Sequence, residues 1–79
     1  DETDGELVEA KGESTRANIR YALGQVLDYR RYVQPDSCAV LLPSRPSDDL
    51  VQLLVENGVS CVHEHGDGDF LRIRAVNDS

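Results

Sequence analysis

The chain has 79 residues, 39% hydrophobic and 29% charged, with 8 basic and 15 acidic side chains and a formal net charge of −7. Such a length supports one core and buries only about 60% of the surface exposed by the unfolded chain. No apolar run approaches the roughly 18 residues of a membrane span, the acidic total argues against gripping nucleic acid by bulk charge, and no basic-then-apolar leader opens the chain, which reads as cytoplasmic.

Asp4-Gly5 is a turn pair of the kind that joins hairpin strands, yet no strand precedes it. That predicts further fold elements ahead of this sequence, with residues 1–79 as one domain, the C-terminal part of a larger one. Glu6 to Lys11 alternates: Leu7, Glu9 and Lys11 on one side, Glu6, Val8 and Ala10 on the other, with Gly12 as the stop. This is a short strand with two charged residues on one face.

From Thr15 the apolar residues recur at helical spacing, and Ile19, Leu23, Val26, Leu27 and Val33 form one stripe. Ser14 or Thr15 caps its start, and Gln34-Pro35-Asp36 ends it. At 100° per residue, Tyr21, Gln25, Tyr29 and Tyr32 gather along one flank of the stripe while Arg20 and Arg31 line the other. The positive charge is concentrated here. Arg16, Arg20, Arg30 and Arg31 stand against the single acid Asp28, which gives this stretch +3 and leaves −10 for the remainder.

Cys38 to Leu42 is a continuous apolar run suited to a strand buried on both faces. After the connection Pro43-Ser44-Arg45-Pro46, Ser47 is an N-cap with Asp48 and Asp49 in the first turn of a second helix, which Asn57-Gly58 stops. Val59 to His63 reads as a strand, Gly66 to Asp69 as a turn and Phe70 to Val76 as a last strand. The order β-α-β-α-β-β implies an α/β fold: a mixed, mostly parallel sheet flanked by helices, its last strand antiparallel. Cys38 and Cys61 are too few and too far apart for a disulfide scaffold or a paired-cysteine zinc site, and act as small hydrophobes.

Glu9 and Lys11 carry the sharpest chemistry. Two residues apart on a strand, they project from one face about 6.5 to 7 Å apart along the backbone. The carboxylate can hold Mg²⁺ or Mn²⁺ through oxygen, and the ammonium can help activate water or stabilise charge growing on a phosphate. Glu-x-Lys alone recurs in many exposed strands, so context decides. That context is Leu7-Val8-Glu9-Ala10-Lys11-Gly12, a helix with Gly24-Gln25-Val26-Leu27-Asp28-Tyr29, and the strand Ala39-Val40-Leu41-Leu42-Pro43. Together they resemble the PD-(D/E)xK, or restriction-endonuclease-like, nucleases, and Gln-x-x-x-Tyr is similar to the helix of the RecB type.

The resemblance covers residues 6–43. It implies that Glu9 is a metal ligand and Lys11 the catalytic lysine, that Gln25 and Tyr29 support the centre, and that DNA is hydrolysed with Mg²⁺ or Mn²⁺. The family pattern also needs a further acid on a preceding strand. Asp4, in the turn, is not given that role, so the acid comes from sequence ahead of this chain or from another subunit, or the domain is inactive. Arg16 and Arg20 would contact phosphates without reading bases. The partners implied are DNA and either other domains of a longer protein or a second subunit, a homodimer among them.

Two other readings stand beside this one. His63 and His65 alternate onto one face and could hold Zn²⁺, but no third ligand is evident, and a solvated strand end is the plainer expectation. A non-catalytic interaction module that keeps the nuclease fold is the rival from another class, favoured by small size, negative charge and the missing acid.

Overall fold

The computed structural model describes residues 5–76, and the periodic segments fold as their patterns require. In chain order they are β1 (Glu6–Ala10), α1 (Arg16–Val33), β2 (Ser37–Leu42), α2 (Asp48–Glu56), β3 (Ser60–Glu64) and β4 (Phe70–Ile73). The sheet order is β1-β2-β3-β4. β1, β2 and β3 are parallel, with Glu9 opposite Val40 and Leu42 opposite His63. β4 returns antiparallel to β3, with Cys61 opposite Ile73.

This order decides where the helices sit. Parallel neighbours joined in sequence by right-handed crossovers place α1 and α2 on the same side of the sheet, and the two helices touch each other. The sheet expected to be flanked by helices is therefore covered on one face only. Ile19, Ala22, Leu23 and Val26 of α1 and Leu50, Val51 and Leu54 of α2 pack on Cys38, Val40, Leu42, Val59 and Cys61, with Leu7 and Ile73 at the two edges. The opposite face carries Val8, Ala10, Leu41, Val62 and Phe70; Val8 and Phe70 are exposed.

Capping chemistry fixes the helix ends. Thr15 accepts a hydrogen bond from the Asn18 N–H at 3.2 Å, so Thr15 rather than Ser14 caps α1. Ser47 sits at the N-cap of α2 but donates its hydroxyl to Asp49 at 2.6 Å and makes no side-chain cap. At the other end Gly58 takes φ +79°, and the Gly58 and Val59 N–H groups return to the Val55 and Leu54 carbonyls. That is the paired bonding a left-handed glycine permits.

The last strand is shorter than its alternation suggests. It ends at Ile73 because the Ser60 hydroxyl accepts the Ala75 N–H at 3.0 Å and the Val55 carbonyl accepts that of Val76 at 3.1 Å. The chain thus turns off the sheet and closes over the end of α2. No helix among the described residues is long and apolar enough to cross a membrane.

Candidate active site

Alternation along β1 sets the geometry. Leu7 and Glu9 pair with Cys38 and Val40, so both point to the helix side. The Lys11 N–H reaches the Leu41 carbonyl at 3.0 Å, which carries the extended path one residue beyond β1 and turns Lys11 the same way. Lys11 Nζ lies 3.5 Å from Glu9 Oε2, with the two side chains 18% and 25% exposed. A carboxylate and an ammonium thus emerge side by side, mostly covered but still reached by solvent.

α1 runs back over the sheet antiparallel to β1, so its N-terminal half overlies the carboxyl end of that strand. Tyr21 is the residue delivered there: Lys11 Nζ sits 4.5 Å from its ring centroid, within cation–π range. The expected partner Tyr29 lies about 12 Å further along the axis and is 56% exposed. The helix direction relative to the strand would have selected Tyr21, four residues before Gln25, from the same flank.

Gln25 is half-buried, and its Oε1 is buried with no hydrogen-bond partner. A buried amide oxygen without a donor costs about 1–3 kcal/mol, so its retention in the helix layer above β1 invites a functional explanation. Of the two candidate DNA contacts, Arg16 is held by Asp49 at 2.7 Å, while Arg20 is exposed. Arg31 pairs with Asp28 at 3.3 Å and lies over the Tyr32 ring. Asp4 lies outside the described residues.

Glu9 and Gln25 offer the hard oxygen donors that Mg²⁺ and Mn²⁺ prefer. Among the described residues, however, no three His, Cys, Asp or Glu side chains are grouped to hold a metal. The donors are right in kind and short in number.

His63 corrects one expectation. It is 3% exposed on the helix side, not solvated, with Nδ1 3.1 Å from the Glu64 carbonyl and Nε2 buried without a partner. His65 is exposed beyond the strand end, so the two histidines differ in burial. Cys38 and Cys61 are free and buried, and burial pushes both thiols up, as expected of small core residues. A cavity of about 170 Å³ beside Arg30, Asp36 and Gly58 opens at the opposite end of the sheet, where Arg30 donates to the Asn57 carbonyl at 3.1 Å. It is remote from Glu9 and Lys11. No family model, curated protein or solved structure matches the chain.

Proposed function

We propose that this chain supplies the Glu-x-Lys part of a metal-dependent nuclease centre of the restriction-endonuclease-like type, acting on DNA. The observation that carries the reading is the Glu9–Lys11 pair, 3.5 Å apart and facing the helix layer that holds the unpartnered Gln25 oxygen. Mg²⁺ or Mn²⁺, when bound, supplies charge neutralisation and a water activated for in-line attack on phosphorus. Glu9 and Gln25 are the residues of this chain that would hold the ion. Lys11, steadied by Tyr21, offers its ammonium to the negative charge that develops on the phosphoryl oxygens. Arg20 is the candidate phosphate contact on the exposed side of α1. The remaining carboxylate comes from outside the described residues.

The test pairs cleavage with binding. Lys11→Ala abolishes Mg²⁺-dependent cleavage by the protein while moving its stability by no more than about 1 kcal/mol, since one partly exposed ion pair and one ring contact are lost. Calorimetric titration with Mn²⁺ gives a heat that Glu9→Gln weakens. Unchanged cleavage by Lys11→Ala removes the assignment.

The second reading, a non-catalytic interaction module, is favoured by one observation: an apolar sheet face left open around Val8 and Phe70. Under it, Mn²⁺ binding is absent or indifferent to Glu9→Gln.

A further inference from the structure

Both helices finish at the amino ends of the parallel strands, the pole of the domain away from Glu9 and Lys11. α1 ends at Gln34, which takes φ 54°, and Pro35-Asp36 leads from there into β2. α2 closes at Asn57 and Gly58. After β4 the chain returns over this pole, where Ala75 is buried. The cavity of about 170 Å³ lies among these segments, walled by Cys38, Gly58 and Ala75, with Arg30 and Asp36 on its lining.

Two opposite charges thus border one small cavity, and they form no ion pair with each other. Arg30 is half-buried and anchored on the α2 side, where Nη1 donates to the Asn57 carbonyl at 3.1 Å. Apart from that carbonyl and the Cys38 thiol, no described group partners its guanidinium. Asp36 is anchored on the β1 side: its N–H donates to the Gly5 carbonyl at 2.7 Å, and a Cβ at Gly5 would stand 2.6 Å from its Oδ2. A guanidinium has five N–H donors and a carboxylate about four acceptor positions. Each group therefore keeps most of its hydrogen-bonding capacity while a separate anchor holds it apart from the other.

We propose that this cavity binds a small zwitterionic amino acid, its carboxylate on Arg30 and its ammonium on Asp36. The charges around the site select such a ligand over a simple ion. The carboxyl ends of α1 and α2 bring partial negative charge to this pole, and the chain as a whole carries −7, so a lone anion meets Arg30 in an opposing field. A lone cation meets the Arg30 charge itself. A molecule with both ends satisfies both groups, the guanidinium taking the carboxylate through paired N–H bonds. Size narrows the class. A cavity of about 150 Å³ takes a benzene-sized molecule, so about six to eight non-hydrogen atoms fit here, and Gly58 and Ala75 leave room for a side chain no larger than that of alanine or serine. The site is remote from Glu9, and the proposal is independent of the hydrolytic reading.

Nuclear magnetic resonance titration of the 79-residue chain with L-alanine reads out the binding. The amide signals of Ser37, Cys38, Gly58 and Ala75 shift and saturate with a midpoint on the order of 1 mM, while those of Glu9 and Lys11 stay in place. Acetate and methylamine, each carrying one of the two charges, bind at least about tenfold more weakly. Asp36→Asn keeps the main-chain bond to Gly5 and the circular dichroism spectrum, and it weakens alanine binding at least about tenfold. Arg30→Lys keeps the charge but loses the planar fork, with a similar loss. Failure to saturate by about 100 mM alanine overturns the proposal, as do equal affinities for acetate and alanine or unchanged binding by Asp36→Asn. Should Arg30→Lys fail to fold for want of the bond to Asn57, Asp36→Asn and the two single-charge probes decide alone.

Discussion

Arg72 and Glu6 hold the two edges of the sheet together across its open face, and breaking that pair measures how much one surface contact contributes to a domain this small. The guanidinium meets both carboxylate oxygens, Nη1 to Oε2 at 2.9 Å and Nη2 to Oε1 at 3.1 Å. The bridge crosses diagonally over Ala39 and Ser60, which point to the open side and are nevertheless 0% exposed. Larger residues at those two positions would block it. Hydrogen bonds to charged groups contribute about 1.5–3 kcal/mol. Here the side chains are 34% and 24% exposed, and solvent screening brings the expected coupling down to about 1–2 kcal/mol. Against a total of about 4–12 kcal/mol for a chain of this size, that is a substantial share, worth about 4–8 °C in Tm for each kcal/mol. Urea denaturation of Glu6→Gln, Arg72→Met and the double variant isolates the pair term from the other contacts of each residue. The pH dependence has a definite sign. Glu6 is held below the usual carboxylate range, first by its hydrogen bonds from Arg72 against the opposing effect of burial, then by the Arg72 charge and the Ser37 hydroxyl. Its contribution is fully present above the unfolded value of about 4.3 and disappears as pH falls through the lower folded value. A coupling under about 0.3 kcal/mol at neutral pH, or one that persists after Glu6 is protonated in acid, refutes this account.

Four further substitutions probe the backbone and the buried polar groups. Gly24 sits in the middle of α1 where an added Cβ meets nothing within 4 Å, so Gly24→Ala raises stability by about 0.8–1 kcal/mol in thermal melts; a lowered Tm contradicts the open environment. Gly58→Ala does the opposite, because φ is +79° and the new Cβ would lie 3.1 Å from Arg30 Nη1; denaturant titration gives a loss of at least about 1 kcal/mol. His63→Leu removes a buried nitrogen without a partner and gains about 1 kcal/mol by the same measurement; a loss would mean that the Nδ1 contact with the Glu64 carbonyl, or a partner of Nε2, outweighs it. Gln25→Leu likewise raises Tm, and under the nuclease reading it also weakens Mn²⁺ binding in calorimetry, the trade between stability and function expected of a polar group kept for its chemistry.

The elements of the fold were legible wherever one physical rule acted alone. The 3.6-residue period from Ile19 to Val33, the uninterrupted apolar run at Cys38 to Leu42 and the glycine stop at Gly58 each correspond to an observed element or end. Misreadings occur where a side chain competes for a backbone group or for space. The Ser60 hydroxyl takes the Ala75 N–H and shortens β4; the Ser47 hydroxyl prefers Asp49 to the helix N-terminus. His63 is buried because its register partner Leu42 lies on the helix side, a relation set by pairing between strands that are distant in sequence. Ala39 reads as a core residue, yet its cover on the open face involves two charged residues, Glu6 and Arg72, from the ends of the described chain. No local pattern contains that information.

The position of β1 explains why the Glu9–Lys11 pair is tolerated. Glu9 occupies a helix-side position equivalent to that of Val40 on β2 and Cys61 on β3, where the side chains are 0% exposed. An ion pair there would lose most of its hydration, a penalty that its own Coulomb attraction offsets only with additional hydrogen bonds. At the edge, with α1 leaning over it and no strand beyond among the described residues, the same pair keeps a quarter or less of its surface in water and has Tyr21 as a neighbour. That openness has a structural cost: the far side of any site built around Glu9 has no wall of its own. Under the nuclease reading, an acid that completes the site approaches along the outer edge of β1, where the main-chain groups of Glu6, Val8 and Ala10 face outward.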